Sequence, residues 1–91
     1  MRVLKYPVVI EKAERNYSAF CSDLLGCVAT GKSIELTIKN MEAAIRMHLA
    51  GLRADGLPIP RPSATVSYKV NKREILTGVE ILLKKESRSH A

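Results

Sequence analysis

Apolar and polar residues alternate along the first third of the chain, and this alternation predicts three short strands. In the first strand Tyr6, Val8 and Ile10 occupy every second position, so they would lie on one face of a sheet. Asn16 tolerates a left-handed backbone and suits the turn into the second strand. Connections this short join antiparallel neighbours. The predicted strands are Val3–Lys12, Tyr17–Cys21 and Cys27–Thr30.

A longer period follows and predicts one helix from about Ile34 to Ala54. Ser33 suits the N-cap, because its hydroxyl can accept a backbone N–H of the first turn. Glu35 in that turn complements the helix dipole, and Gly56 suits the C-terminal cap. The apolar positions recur at spacings of three and four; they are Ile34, Ile38, Met41, Ile45, Leu49 and Leu52.

Beyond the helix the pattern predicts a stiff connector and then one or two strands. Alternate prolines within 57–62 favour an extended path. Residues 64–70 alternate as a half-buried strand, 71–73 are turn-like, and 75–83 again show a period of two, where Gly78 disfavours helix. The predicted fold class is α+β: a three-stranded antiparallel sheet, one long helix, then one or two C-terminal strands, in the order β-β-β-α-β.

The net charge of +6 adds a candidate nucleic-acid surface. Residues 1–60 carry eight Lys/Arg and six Asp/Glu, a net +2, whereas residues 61–91 carry seven and three, a net +4. This basic C-terminal part is compatible with weak, non-specific DNA binding, and a merely solvated tail is the alternative. A basic nucleic-acid-binding protein is therefore one candidate function. Its candidate contacts are Lys72, Arg73, Lys84 and Lys85.

Residues that could carry catalysis are few and scattered. His48 and His90 lack metal-ligand spacing to a cysteine or to each other. Cys21 and Cys27 fit small buried apolar positions, as free cysteines usually do. We therefore expect no metal site, no cofactor and no enzymatic activity.

One string nevertheless matches a phosphate-binding motif. Residues 26–33 read Gly-Cys-Val-Ala-Thr-Gly-Lys-Ser and fit G-x-x-x-x-G-K-[ST]. In such a loop Lys32 would hold phosphate and Ser33 a magnesium ion. The motif needs a strand before the loop, but here residues 27–30 themselves read as strand. A nucleotide-binding enzyme is the less favoured alternative.

The length of the chain and the distribution of its apolar residues predict where the protein is located and whether it forms oligomers. Ninety-one residues fit one domain, and no apolar run approaches a membrane span. Without a secretory pattern at the start, we expect a cytoplasmic protein with no membrane contact. Residues 63–83 carry more apolar side chains than an edge strand needs. We therefore predict a homodimer or higher homo-oligomer formed through the C-terminal strands.

Two motifs separated by the helix carry a family resemblance. The first comprises Tyr6-Pro7, Phe20, Asp23-Leu24, Gly26-Cys27 and Gly31, and the second is Asp55-Gly56-Leu57-Pro58-Ile59-Pro60. Over about residues 5–70 the chain resembles the HicB-like antitoxins. It departs from that pattern at Leu25 and Cys21, where the family commonly has proline.

The resemblance implies a partial RNase H-like fold and a protein that neutralises a HicA-type toxin, a small ribonuclease acting on mRNA. It divides the chain into a HicB-like domain, 1–70, and a basic C-terminal extension, 71–91, which is too short for the separate DNA-binding region that the family often carries. An exposed turn beside a short strand offers a docking position. The candidate partner contacts are Glu11, Tyr17, Phe20, Asp23 and Leu24.

Overall fold

One helix packs on a four-stranded antiparallel sheet in the computed structural model, which describes residues 2–63 and 71–83. The elements are β1 (Arg2–Lys12), β2 (Tyr17–Phe20), β3 (Val28–Gly31), α1 (Ile34–Ala54) and β4 (Glu74–Leu83). Within the sheet the strands lie in the order β3-β2-β1-β4, and every neighbouring pair is antiparallel. The predicted fold class is confirmed.

The last described strand belongs to the same folded unit as the first. β4 pairs with β1 along its whole length, from Leu83 opposite Arg2 to Glu74 opposite Glu11. Residues 74–83 therefore belong to the same sheet as β1, β2 and β3. The strand predicted at 64–70 and the tail predicted at 84–91 lie outside the described residues.

Both ends of α1 are capped as the sequence predicts. The Ser33 hydroxyl accepts the backbone N–H of Leu36 at 3.0 Å, which satisfies a donor of the first turn. At the other end Gly56 adopts a left-handed φ of 70°. The backbone N–H of Leu57 then donates to the carbonyl of Leu52 at 2.8 Å, which closes a Schellman motif.

The core lies between α1 and the inner face of the sheet, by which we mean the face that α1 covers. It is aliphatic apart from Tyr6, and its largest fully buried side chains are Tyr6, Val8, Ile10, Leu24, Met41, Ile45, Leu49 and Ile81. Thr37 is also fully buried, and its hydroxyl donates to the carbonyl of Ser33 at 2.7 Å. The apolar stripe predicted for the helix is thus the face that builds the core.

The proline-rich connector is held against this core. The Tyr6 hydroxyl donates to the carbonyl of Pro60 at 2.6 Å, and Ile59 packs on the buried cluster. Burial raises the pKa of the Tyr6 hydroxyl above its ordinary value, with smaller contributions from Cys21 and Asp23. The connector therefore crosses the sheet at a defined place.

Candidate partner-binding site

The outer face of the sheet, opposite α1, presents a row of apolar side chains across all four strands. In register, Leu76 lies opposite Val9, Val9 opposite Phe20, and Phe20 opposite Val28. We call these four residues the apolar row. Val9 in its middle is 3% exposed, whereas Val28 at the β3 edge is 64% exposed. The row is accessible at its β3 end.

Beside the apolar row lies a polar row with two carboxylates. In register it runs from Glu74 through Glu11 and Ser18 to Thr30. Glu11 is exposed and stands directly opposite Glu74, whose carboxylate accepts the backbone N–H of Asn71 at 3.0 Å. Residues directly opposite on antiparallel strands share a face, so both acidic side chains belong to the outer face.

The predicted partner contacts do not form one surface. Glu11 and Phe20 lie on the outer face, whereas Tyr17 begins β2 on the inner face and packs half-buried against the core. Leu24 is 1% exposed and belongs to the core, so its side chain cannot meet a partner, and that assignment is corrected. The alternation of apolar and polar residues along a strand could not assign Leu24 to the core, because Leu24 lies in the loop between β2 and β3.

Asp23 has a role inside the fold. Its Oδ2 accepts the backbone N–H of Ser63 at 2.8 Å, and its Oδ1 accepts the Ser63 hydroxyl at 2.6 Å. These bonds fasten the β2–β3 loop to the connector forty residues later in the chain. The sequence offered only the exposed-turn position of Asp23 and nothing that pointed to Ser63.

Two of the four basic residues predicted to contact nucleic acid lie at one end of the sheet. Lys72 and Arg73 are exposed in the turn before β4, and the carbonyl of Arg73 accepts the backbone N–H of Lys12 at 3.0 Å. Pairing of β1 with β4 thus brings Lys12 to this end, which sequence spacing did not reveal. Glu11 and Glu74 lie at the same end. Lys84 and Lys85 lie outside the described residues.

The phosphate-loop interpretation of residues 26–33 is wrong. Gly26 adopts a left-handed φ of 80° in a turn, and Val28–Gly31 then pairs with β2 as a strand. A phosphate loop instead curls so that successive N–H groups converge on the anion. The Ser33 hydroxyl, which would bind magnesium, caps α1.

The two cysteines are buried and free. Burial raises the pKa of both the Cys21 and the Cys27 thiols, which disfavours the reactive thiolate. Within residues 2–63 and 71–83, no group of three or more potential metal-ligating side chains comes together. In the same part of the chain, no helix is long and apolar enough to cross a membrane.

Comparison with known proteins agrees with this geometry. The family described as "HicB_like antitoxin of bacterial toxin-antitoxin system" matches residues 6–88. A UPF0150 protein of Helicobacter pylori is 49% identical over 73 residues, which are 80% of this chain and 89% of that protein.

Two solved structures share the fold. A chain of the "HicA3 and HicB3 toxin-antitoxin complex" superimposes with a TM-score of 0.71 at 29% identity, covering 88% of this chain and all of that one. The N-terminal domain of the Burkholderia pseudomallei antitoxin HicB gives a TM-score of 0.73 at 23% identity, with the same coverage. The match over nearly the whole chain, together with the identity to the Helicobacter protein, establishes that this chain belongs to the HicB-like antitoxin family.

Proposed function

We propose that this chain is the antitoxin of a toxin–antitoxin pair and neutralises a HicA-type toxin by binding it. The observation that carries the proposal is the family match over residues 6–88, supported by the fold shared with a chain of a HicA3–HicB3 complex. The chain acts as a binding partner and not as an enzyme: it needs a complementary surface and no reacting group. Neutralisation then follows mass action, so it depends on the ratio of antitoxin concentration to the dissociation constant.

Co-expression tests this function directly. The probe is the small protein encoded by the reading frame adjacent to the gene of this chain, which we expect to be basic and to contain histidine. Expressed alone it should arrest growth; expressed with this chain it should not, and the two proteins should co-purify. Ile45→Asp is the negative control, because Ile45 is fully buried and a carboxylate there prevents folding. Continued growth arrest and absence of a complex with wild-type chain would contradict the proposal.

Self-association through the C-terminal strands is part of the proposal. β4 lies at one end of the described strand order, and Ile75 and Leu82 on it are 44% and 45% exposed. An exposed strand edge with apolar neighbours favours pairing with a second copy. Sedimentation equilibrium at tens of micromolar should give a dimer or larger species. A monomer at this concentration would contradict self-association. A dimer that persists in the double variant Ile75→Lys/Leu82→Lys would contradict its formation through β4.

A second candidate function is weak, non-specific DNA binding in the cytoplasm. Its support is the net +6 charge with exposed Lys72 and Arg73. Such binding should weaken steeply with salt, because phosphate contacts release counterions. Titration of a random duplex at rising salt concentration tests it. Equal affinity for Lys72→Ala with Arg73→Ala would remove these two residues as contacts.

A further inference from the structure

Cys21 and Cys27 lie directly opposite each other at the end of the β2–β3 ladder. The last pair within the two strands is Phe20 opposite Val28, and one further step in the same register brings Cys21 opposite Cys27. The backbone continues the pairing there, because the N–H of Cys21 donates to the carbonyl of Cys27 at 3.2 Å. The two cysteines are therefore cross-strand neighbours that enclose the loop 22–26.

Both cysteine side chains lie on the inner face of the sheet. Ala19, two residues before Cys21, is buried on that face, and alternation along the strand returns Cys21 to it. Residues directly opposite on antiparallel strands share a face, so Cys27 points the same way. Both cysteines are buried members of the core cluster. The two thiols therefore lie side by side in the core.

The spacing of such a pair suits a disulfide bond. Residues directly opposite on antiparallel strands have Cα atoms about 4.5–5.5 Å apart, and a disulfide joins Cα atoms about 4.4–6.8 Å apart. The Cβ atoms of such residues are about 4.5–5.5 Å apart, so a shift of about 1 Å brings them to the separation that the bond requires. The pair lies one residue outside the bounds of both strands, where this shift leaves the pairs within β2 and β3 in place.

The surroundings of the Cys21 sulfur favour this thiol as the nucleophile. Burial raises the pKa of the Cys21 thiol, whereas the backbone N–H groups of Asp23 and Leu24 donate to its sulfur and lower the pKa in part. Burial also raises the pKa of the Cys27 thiol. Because both thiols are mainly protonated at neutral pH, their reaction is slow and needs an added oxidant.

We propose that Cys21 and Cys27 are a reversible dithiol–disulfide pair, a redox-sensitive modification site at the base of the β2–β3 loop. The oxidant is a low-molecular-weight disulfide. The Cys21 thiolate attacks one of its sulfurs, and the thiol that leaves takes up the proton that Cys21 lost. The Cys27 thiolate then attacks the Cys21 sulfur of the mixed disulfide, and the second leaving thiol takes up the proton of Cys27. Two protein thiols are oxidised to one disulfide, and one small disulfide is reduced to two thiols.

The bond would close a loop that holds two parts of the fold together. Leu24 in this loop is buried in the core, and Asp23 accepts two hydrogen bonds from Ser63 of the connector. A disulfide between the ends of the loop restricts the unfolded chain and opposes opening of the loop. Oxidation should therefore slow amide exchange at residues 22–27.

Equilibration with glutathione and glutathione disulfide tests the pair in the intact chain. The folded protein should lose two hydrogen atoms from its mass, carry no glutathione, and show no free thiol in place of two. A protease that cuts before Asp23 should leave the two parts of the chain joined until dithiothreitol separates them. The effective concentration of the pair should be at least ~10-fold higher in the folded chain than in urea, because the register holds the thiols opposite each other.

Single variants distinguish a paired reaction from two independent ones. Cys21→Ala and Cys27→Ala each replace a small buried apolar side chain by another, and circular dichroism checks that they fold. The remaining thiol should carry glutathione or stay free, with no loss of two hydrogen atoms. Wild-type thiols that stay free in the folded chain, a chain with two glutathione adducts, or equal effective concentrations with and without urea would each overturn the proposal. These wild-type measurements decide it even where a variant fails to fold.

Discussion

A Cβ atom placed on Gly31 would lie 2.6 Å from Oγ1 of Thr37 and 2.7 Å from its backbone nitrogen. The last residue of β3 therefore meets the first turn of α1 at a separation that only glycine allows. Thr37 cannot move aside easily, because it is fully buried and its hydroxyl donates to the carbonyl of Ser33. Packing against Thr37 therefore accounts for the glycine at position 31, and a phosphate-binding role is not needed to explain it.

Gly31→Ala should accordingly destabilise the protein. Overpacking of a well-packed site costs ~1–3 kcal/mol in the free energy of unfolding. Gly51→Ala is the matched control: Gly51 lies in α1 with nothing within 4 Å of an added Cβ, so it should stabilise by ~0.5–1 kcal/mol. Urea denaturation of both variants measures the difference. Equal stability of the two variants would refute the close approach of β3 and α1.

Tyr6→Phe should loosen the proline-rich connector. The substitution removes the donor to the Pro60 carbonyl, at a cost of ~1 kcal/mol in the free energy of unfolding. The ring remains in the core, so the fold should persist. Chemical denaturation gives the loss, and amide exchange near residues 57–63 should increase. Unchanged stability would show that the hydrogen bond contributes nothing.

Stability should also fall at alkaline pH because of Tyr6. Burial raises the pKa of Tyr6 in the folded state above 10.0, its ordinary value, so the unfolded chain loses this proton first. The contribution of the Tyr6 hydroxyl to the free energy of unfolding is complete below pH 10. It is lost as the pH rises through the raised pKa of Tyr6 in the folded state. Denaturation between pH 8 and 11 should show a smaller decline in Tyr6→Phe than in wild type. Parallel declines would exclude Tyr6 as a cause.

A double-mutant cycle on Asp23 and Ser63 should reveal coupling. The Asp23 carboxylate accepts two hydrogen bonds from Ser63, one of them from the backbone, so Asp23→Ala should cost more than Ser63→Ala. Because the pair is exposed, we expect a coupling energy of only ~0.5–1 kcal/mol in the free energy of unfolding. Additive effects would mean that the loop and the connector are held independently.

Lys32→Ala should be nearly neutral. Lys32 is exposed just before the helix cap, and residues 28–31 form a strand in place of a phosphate loop. The expected change in the free energy of unfolding is within ~0.5 kcal/mol, as for ordinary surface positions. Toxin affinity should be unchanged as well. Titration with ATP and magnesium should give no heat of binding, and a micromolar dissociation constant would contradict the strand assignment.

Local patterns in the sequence determined the elements and their inward faces. The cap at Ser33, the apolar spacing of three and four, and Gly56 define α1 from Ile34 to Ala54 as observed. The period of two in β1 likewise places Tyr6, Val8 and Ile10 in the core. These features depend on residues within a turn or two of each other, so neighbouring residues suffice to predict them.

Tertiary structure alone decided which strands are neighbours and what the outer face carries. Alternation assigns a residue to a face but does not say which strand lies beside it, because pairing is made over long separations in the chain. The placement of β4 against β1 brings Glu74 opposite Glu11 and Leu76 opposite Val9. The attachment of Asp23 to Ser63 is equally non-local. Which residues lie side by side on the outer face therefore follows from this register, and the packing of the whole sheet selects it.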